Sequence, residues 1–165
     1  MIRPRTSGDL AACAVIAEVV HDADGYPSFL GESTFGEFVA PDDELGSWVA
    51  TLDGKIVGQV VLRPRSAPGS VTLAALELEV PSEQLGFVAR LLVAPSARRR
   101  GLGRQLLAHV VDEAHERHLV AVLDVVVRDA AAIALYDSCR WRRLGGHTMV
   151  LRSGATLDVV VYSEP

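Results

Sequence analysis

The stretch from Phe87 to Ala114 constrains this chain more than any other. Phe87–Ala94 is almost wholly apolar, is bounded by Gly86 and Pro95, and reads as a buried strand. Pro95-Ser96-Ala97 turns the chain. Arg98-Arg99-Arg100-Gly101-Leu102-Gly103-Arg104 follows, and Leu102, Leu106, Leu107, Val110, Val111 and Ala114 then fall on one helical stripe. A strand feeding a basic, glycine-rich turn that opens a helix is a phosphate-binding device. The first amides of the helix lack intrahelical acceptors, the helix N-terminus carries partial positive charge, and glycine lets backbone approach an anion. Neither the dinucleotide spacing G-x-G-x-x-G nor the P-loop spacing G-x-x-x-x-G-K-[ST] is present.

What stands here is R-x-x-G-x-G (Arg98, Gly101, Gly103) after L-L-V-A-P. A second pattern lies downstream in Val127–Trp141, carried by Ala132, Leu135, Tyr136 and Trp141. Together these resemble the GNAT N-acetyltransferase superfamily. The resemblance implies an α/β fold with a mixed central sheet of six or seven strands and helices on both faces, formed by residues 1–165 as one domain. It also implies transfer of an acetyl group from acetyl-CoA to an amine by direct attack in a ternary complex. Leu91, Leu92, Val93, Arg98, Arg99, Arg100, Gly101, Leu102, Gly103, Arg104, Asp129, Ala132 and Tyr136 are then the expected cofactor contacts. Two departures stand out: Asp129 where the family pattern has Asn, and Arg140 where it has Gly. An Asp keeps an acceptor oxygen but loses the amide donor. Arg140 implies a different turn into the next strand.

Composition agrees with a small-polyanion partner. The chain is 165 residues long, 49% hydrophobic, and carries a net charge of -5. A mildly acidic protein with one local basic cluster is not built for nucleic acid, whose binding rests on neutralising many phosphates. Cys13 and Cys139 have no metal or disulfide spacing and read as small buried apolar residues of a reducing compartment. The N-terminus lacks a hydrophobic signal core, and no apolar run reaches membrane length, so the expected location is the cytoplasm. Symmetry preferences favour a homodimer where such a chain self-associates.

In chain order, Ile2–Arg5 reads as an edge strand, and Thr6 or Ser7 caps a helix to about Val20. His21–Pro27 reads as a polar turn, and Phe35–Ala40 as a short helix. Ser47–Leu52 and Ile56–Leu62 flank Asp53-Gly54 as a hairpin. Val71–Val80 is ambiguous between helix and strand, and a short helix is favoured. After the central stretch the helix runs to about His118. Ala121–Val127 is a buried strand parallel to Phe87–Ala94, and Ala130–Ser138 a second helix. Trp141–Leu144 and Thr156–Tyr162 are the last strands, with Gly145-Gly146 and Ser153-Gly154 as breaks.

The resemblance assigns Tyr136 as the acid that protonates the departing thiolate, and an amide near Leu92 as the oxyanion donor. A base is needed to deprotonate the acceptor ammonium. Candidates are Glu79, among the acids preceding the central strand, and His21; a water relay is the alternative. Asp24 and Tyr26, with Asp22 beside them, suit a cationic amine, whereas Arg90, the one charge in an apolar strand, suits a carboxylate. The acceptor is therefore left as a small molecule or a peptide amine: polyamine, amino acid, antibiotic, peptide N-terminus or lysine. His109, His115 and His118 share a helix but lack acidic or cysteine partners, so no metal site is expected. The competing reading is a catalytically idle domain that binds an acyl-CoA as a sensor. A nucleotide-binding regulator is disfavoured by the missing P-loop lysine.

Overall fold

The computed structural model describes residues 1–165. Seven strands are present: β1 (Ile2–Pro4), β2 (Gly46–Leu52), β3 (Lys55–Arg63), β4 (Leu85–Val93), β5 (Val120–Val126), β6 (Arg142–Val150) and β7 (Thr156–Ser163). Five α-helices join them: α1 (Leu10–Asp24), α2 (Phe35–Val39), α3 (Pro68–Leu78), α4 (Leu102–Glu116) and α5 (Ala130–Ser138). The strands hydrogen-bond in the order β1-β2-β3-β4-β5-β7-β6. β5 is parallel to β4, and the β1–β2, β2–β3, β5–β7 and β6–β7 pairs are antiparallel. The expected mixed sheet is therefore present. Two compact units make up the chain: Met1–Leu62 with Ala89–Val110, and Arg63–Val88 with Val111–Pro165.

In the first unit, Cys13, Ile16, Ala17 and Val20 of α1 pack with Phe38 and Val39 of α2 and with Val49 and Leu92 of the sheet. Burial in this cluster pushes the Cys13 thiol up to about 11. The neighbouring side chain on β2, Trp48, points to the other face and meets His109 of α4 edge-on at 5.5 Å. Helices thus cover both faces of β2. β3 and β4 approach closely at Gly58, where an added Cβ would lie 2.7 Å from the Leu92 carbonyl oxygen. Only glycine leaves room for that oxygen. At the chain start, Asp9 accepts from the two terminal guanidinium nitrogens of Arg3 at 2.7 and 2.8 Å and from the Thr6 amide at 2.7 Å. Those bonds hold its carboxyl well below the usual carboxylate range.

In the second unit, Ala74 of α3 packs with Leu85, Phe87, Val122 and Val161 of the sheet. The ambiguous stretch before β4 is thus a helix, and its start moves forward to Pro68, a residue suited to a first helical position.

Three sequence readings are corrected. α1 does not end near Val20: His21–Asp24 form its last turn, and Gly25 closes it at φ 72°. Gly145-Gly146 does not end a strand. β6 runs through both residues, with a register shift between Arg143 and Gly145 that absorbs the local irregularity. Cys139 lies at the C-cap of α5 and is only half-buried, unlike Cys13.

Candidate active site

The basic turn has the form its sequence predicts. β4 ends at Val93, a 3₁₀ turn spans Pro95–Ala97, and α4 starts at Leu102. Gly101 sits at φ 75° and its carbonyl accepts the Gln105 amide at 3.0 Å, so Gly101 is the residue that caps α4. Helical geometry leaves the amides of Leu102, Gly103 and Arg104 without intrahelical acceptors at the positive end of a 15-residue helix. Arg99 at φ 65° turns the preceding backbone, and Arg99, Arg100 and Arg104 are exposed. The turn therefore combines backbone donors, a helix dipole and exposed positive charge, which is the chemistry a diphosphate requires.

Within the same unit lie Leu91, Leu92, Val93, Arg90, His21, Asp24 and Tyr26. Leu92 is buried against α1 and α2, while Leu91 and Val93 are half-buried. Arg90 takes φ 53° inside β4, and its guanidinium lies 4.1 Å above the Phe38 ring. A left-handed arginine inside a strand breaks regular pairing and marks a constrained site. His21 holds its Nδ1 3.1 Å from the Pro27 carbonyl, with its ring 5.6 Å from Phe35. Tyr26 meets Phe38 edge-on at 5.8 Å. Asp24 is committed elsewhere: its carboxylate takes both terminal nitrogens of Arg98, one at 3.1 Å. Sequence reasoning had no signal for that pair, whose members are 74 residues apart.

The second unit holds Glu79, Asp129, Ala132 and Tyr136. Glu79 is the exposed C-cap of α3 at φ 55°. Tyr136 on α5 is 8% exposed, and its ring stands 6.1 Å from Trp141 and 5.9 Å from Tyr162. Tyr162 donates to Asp137 at 3.3 Å, and burial, reinforced by that carboxylate, raises its phenol above the ordinary range.

A carboxylate that sequence reasoning passed over also lies here. The parallel β4–β5 ladder runs from Leu85↔Val120 to Phe87↔Val122. Two residues further along β5, half-buried Asp124 pairs with Val161 of β7 and accepts a 2.6 Å hydrogen bond from Ser66. The available signal was an acid inside the apolar run Ala121–Val127. Burying a carboxylate in such a strand is costly unless it is used or paired.

Over residues 16–140 the sequence matches the Acetyltransferase (GNAT) family. The chain belongs to the GNAT family. Among curated relatives, the [ribosomal protein bS18]-alanine N-acetyltransferase of Salmonella typhimurium is 53% identical over 47 residues, which is 28% of this chain and 32% of that enzyme. The chain thus spans about a third of the length of the curated relatives it matches. Among solved structures, the ribosomal-protein-alanine N-acetyltransferase of Brucella melitensis superposes with a TM-score of 0.72 at 26% identity, covering 99% of this chain and 98% of that one. A putative acetyltransferase of Salmonella typhimurium, solved with its cofactor acetyl-CoA, superposes at 0.68 with 22% identity, covering 99% and 91%.

Against the GNAT pattern, the two departures now have local accounts. Asp129 caps α5, its carboxylate accepting the Ala132 amide at 3.2 Å, a task Asp performs as well as Asn. Arg140 stands at φ 61°, the left-handed region glycine prefers. The expectation of a different turn is thus corrected: a glycine-type backbone is kept with an arginine in it. No helix of the chain is long and apolar enough to cross a membrane.

Proposed function

We propose that residues 1–165 act as one acetyltransferase domain that moves the acetyl group of acetyl-CoA to the α-amino group of a peptide or protein. The observation that carries this reading is the turn at Arg98–Arg104 in a chain of the GNAT family, with Gly101 capping a 15-residue helix beneath three exposed arginines. The peptide acceptor is supported by the ribosomal-protein-alanine acetyltransferases among the relatives and by the 98% coverage of the Brucella structure.

In this reading the Leu102, Gly103 and Arg104 amides hold the diphosphate, with Arg99, Arg100 and Arg104 supplying counter-charge. Acetyl-CoA supplies an activated thioester. The Leu92 segment supplies a backbone donor where negative charge develops on the carbonyl oxygen. Asp124 takes the acceptor's proton, in preference to exposed Glu79 and to His21, whose Nδ1 faces the Pro27 carbonyl. The proton must leave before the nitrogen lone pair can attack. Tyr136 gives its phenolic proton to the departing sulfur.

The test is thiol release from acetyl-CoA in the presence of peptides with free or blocked N-termini. Free α-amines, and not blocked ones, are expected to accelerate release, and Tyr136→Phe to lower kcat by at least about a hundredfold with little change in CoA affinity. Binding of acetyl-CoA with no amine-dependent release from any peptide or small amine would replace the enzyme with a sensor.

A further inference from the structure

The first arginine of the basic turn is not disposed as a phosphate ligand. Arg98 has five N–H donors, and its three nitrogens are engaged within the protein: Nε donates to the Val93 carbonyl at 3.3 Å, and Nη1 and Nη2 both donate to Asp24. The guanidinium thereby ties the end of β4 to the last residue of α1. Asp24 is poorly placed by local rules, since a negative side chain at a helix C-terminus opposes the helix dipole. A guanidinium held in bidentate contact offsets that conflict. Each side chain is about one-third exposed, which leaves the pair open to competition from water and from an incoming anion.

We infer that Asp24 is a positioning residue for the donor substrate: through Arg98 it braces the Arg99–Arg104 turn in its diphosphate-binding form. Arg98 itself is a staple and the diphosphate is held by the groups after it. This inference rests on the acetyl-CoA reading above and goes beyond it in two respects. It removes Arg98 from the direct ligands. It also makes the segment after α1, which begins at Gly25-Tyr26, mechanically continuous with the cofactor turn, so that occupancy of the turn is felt at Tyr26.

The experiment is a double-mutant cycle read by calorimetric titration with coenzyme A, with the thermal midpoint of each ligand-free variant as a second readout. Asp24→Asn and Arg98→Ala are each expected to weaken CoA binding about fivefold, and the double variant to be no weaker than either single one. The charge swap, Asp24→Arg with Arg98→Asp, is expected to recover most of the loss, as is Asp24→Glu. If Arg98 is instead a diphosphate ligand, Asp24→Asn frees it and CoA binds as well or more tightly, while the swap abolishes binding. Either result overturns the inference. So does a lowered thermal midpoint with unchanged CoA affinity, which would make the pair merely structural. Wild-type protein that fails to bind coenzyme A would defeat the acetyl-CoA reading itself, an outcome distinct from every variant-specific one.

Discussion

The basic turn and the surroundings of two other residues, Asp124 and Tyr136, are built on opposite principles. The turn is local. Its donors come from consecutive backbone amides, its geometry from Gly101 at φ 75°, and its charge from neighbouring arginines. Asp124 and Tyr136 are each held by distant parts of the chain: Ser66 reaches Asp124 across 58 positions, and Tyr136 is packed by Tyr162 of β7. Backbone recognition tolerates side-chain change but not backbone change. Proton transfer behaves the other way round, because one atom in one place carries the chemistry.

That contrast can be broken by substitution. The largest effect is expected for Asp124→Asn, which removes a proton acceptor and keeps the shape. Steady-state kinetics should show kcat reduced by about 10²- to 10⁴-fold, with coenzyme A affinity unchanged. A fall in affinity with kcat intact would move Asp124 into the binding machinery. Gly101→Val should do the reverse, weakening coenzyme A in titration by roughly ten- to a hundredfold, because a β-branched residue resists positive φ at about 1–3 kcal/mol. Equal binding would detach the turn from the diphosphate.

Smaller effects sharpen the comparison. Gly58→Ala forces a Cβ toward the Leu92 oxygen 2.7 Å away, and denaturant unfolding should show a loss of about 1–3 kcal/mol. The same substitution on an open strand face would be neutral, so an unchanged midpoint would mean that β3 and β4 can part without cost. Arg140→Gly should stabilise the protein by up to about 1 kcal/mol in the same measurement, since the left-handed backbone is already in place. A destabilised variant would show that the arginine side chain makes contacts outweighing its backbone strain.

Much of the fold was legible because it follows from periodicity and punctuation. Asp53-Gly54 announced the β2–β3 hairpin, and Ala130–Ser138 is the α5 that its pattern predicts. Errors fell where a local signal was overridden. His21–Asp24 carries turn-forming residues, yet α1 continues through it to Gly25, with the acid at its end answered by Arg98. Gly145-Gly146 looks like a break, yet β7 supplies partners on both sides and a bulge absorbs the misfit.

The amino-acid order alone determined that this chain builds a basic, glycine-containing turn between a buried strand and an amphipathic helix, because the conformation of those adjacent backbone amides is set by their own residues. Only the tertiary structure decided which carboxylates are exposed, which are held, and by what. Glu79, Asp24 and Asp124 are chemically near-identical in sequence, and become an exposed helix cap, one half of an ion pair with Arg98 and a half-buried carboxylate bonded by Ser66.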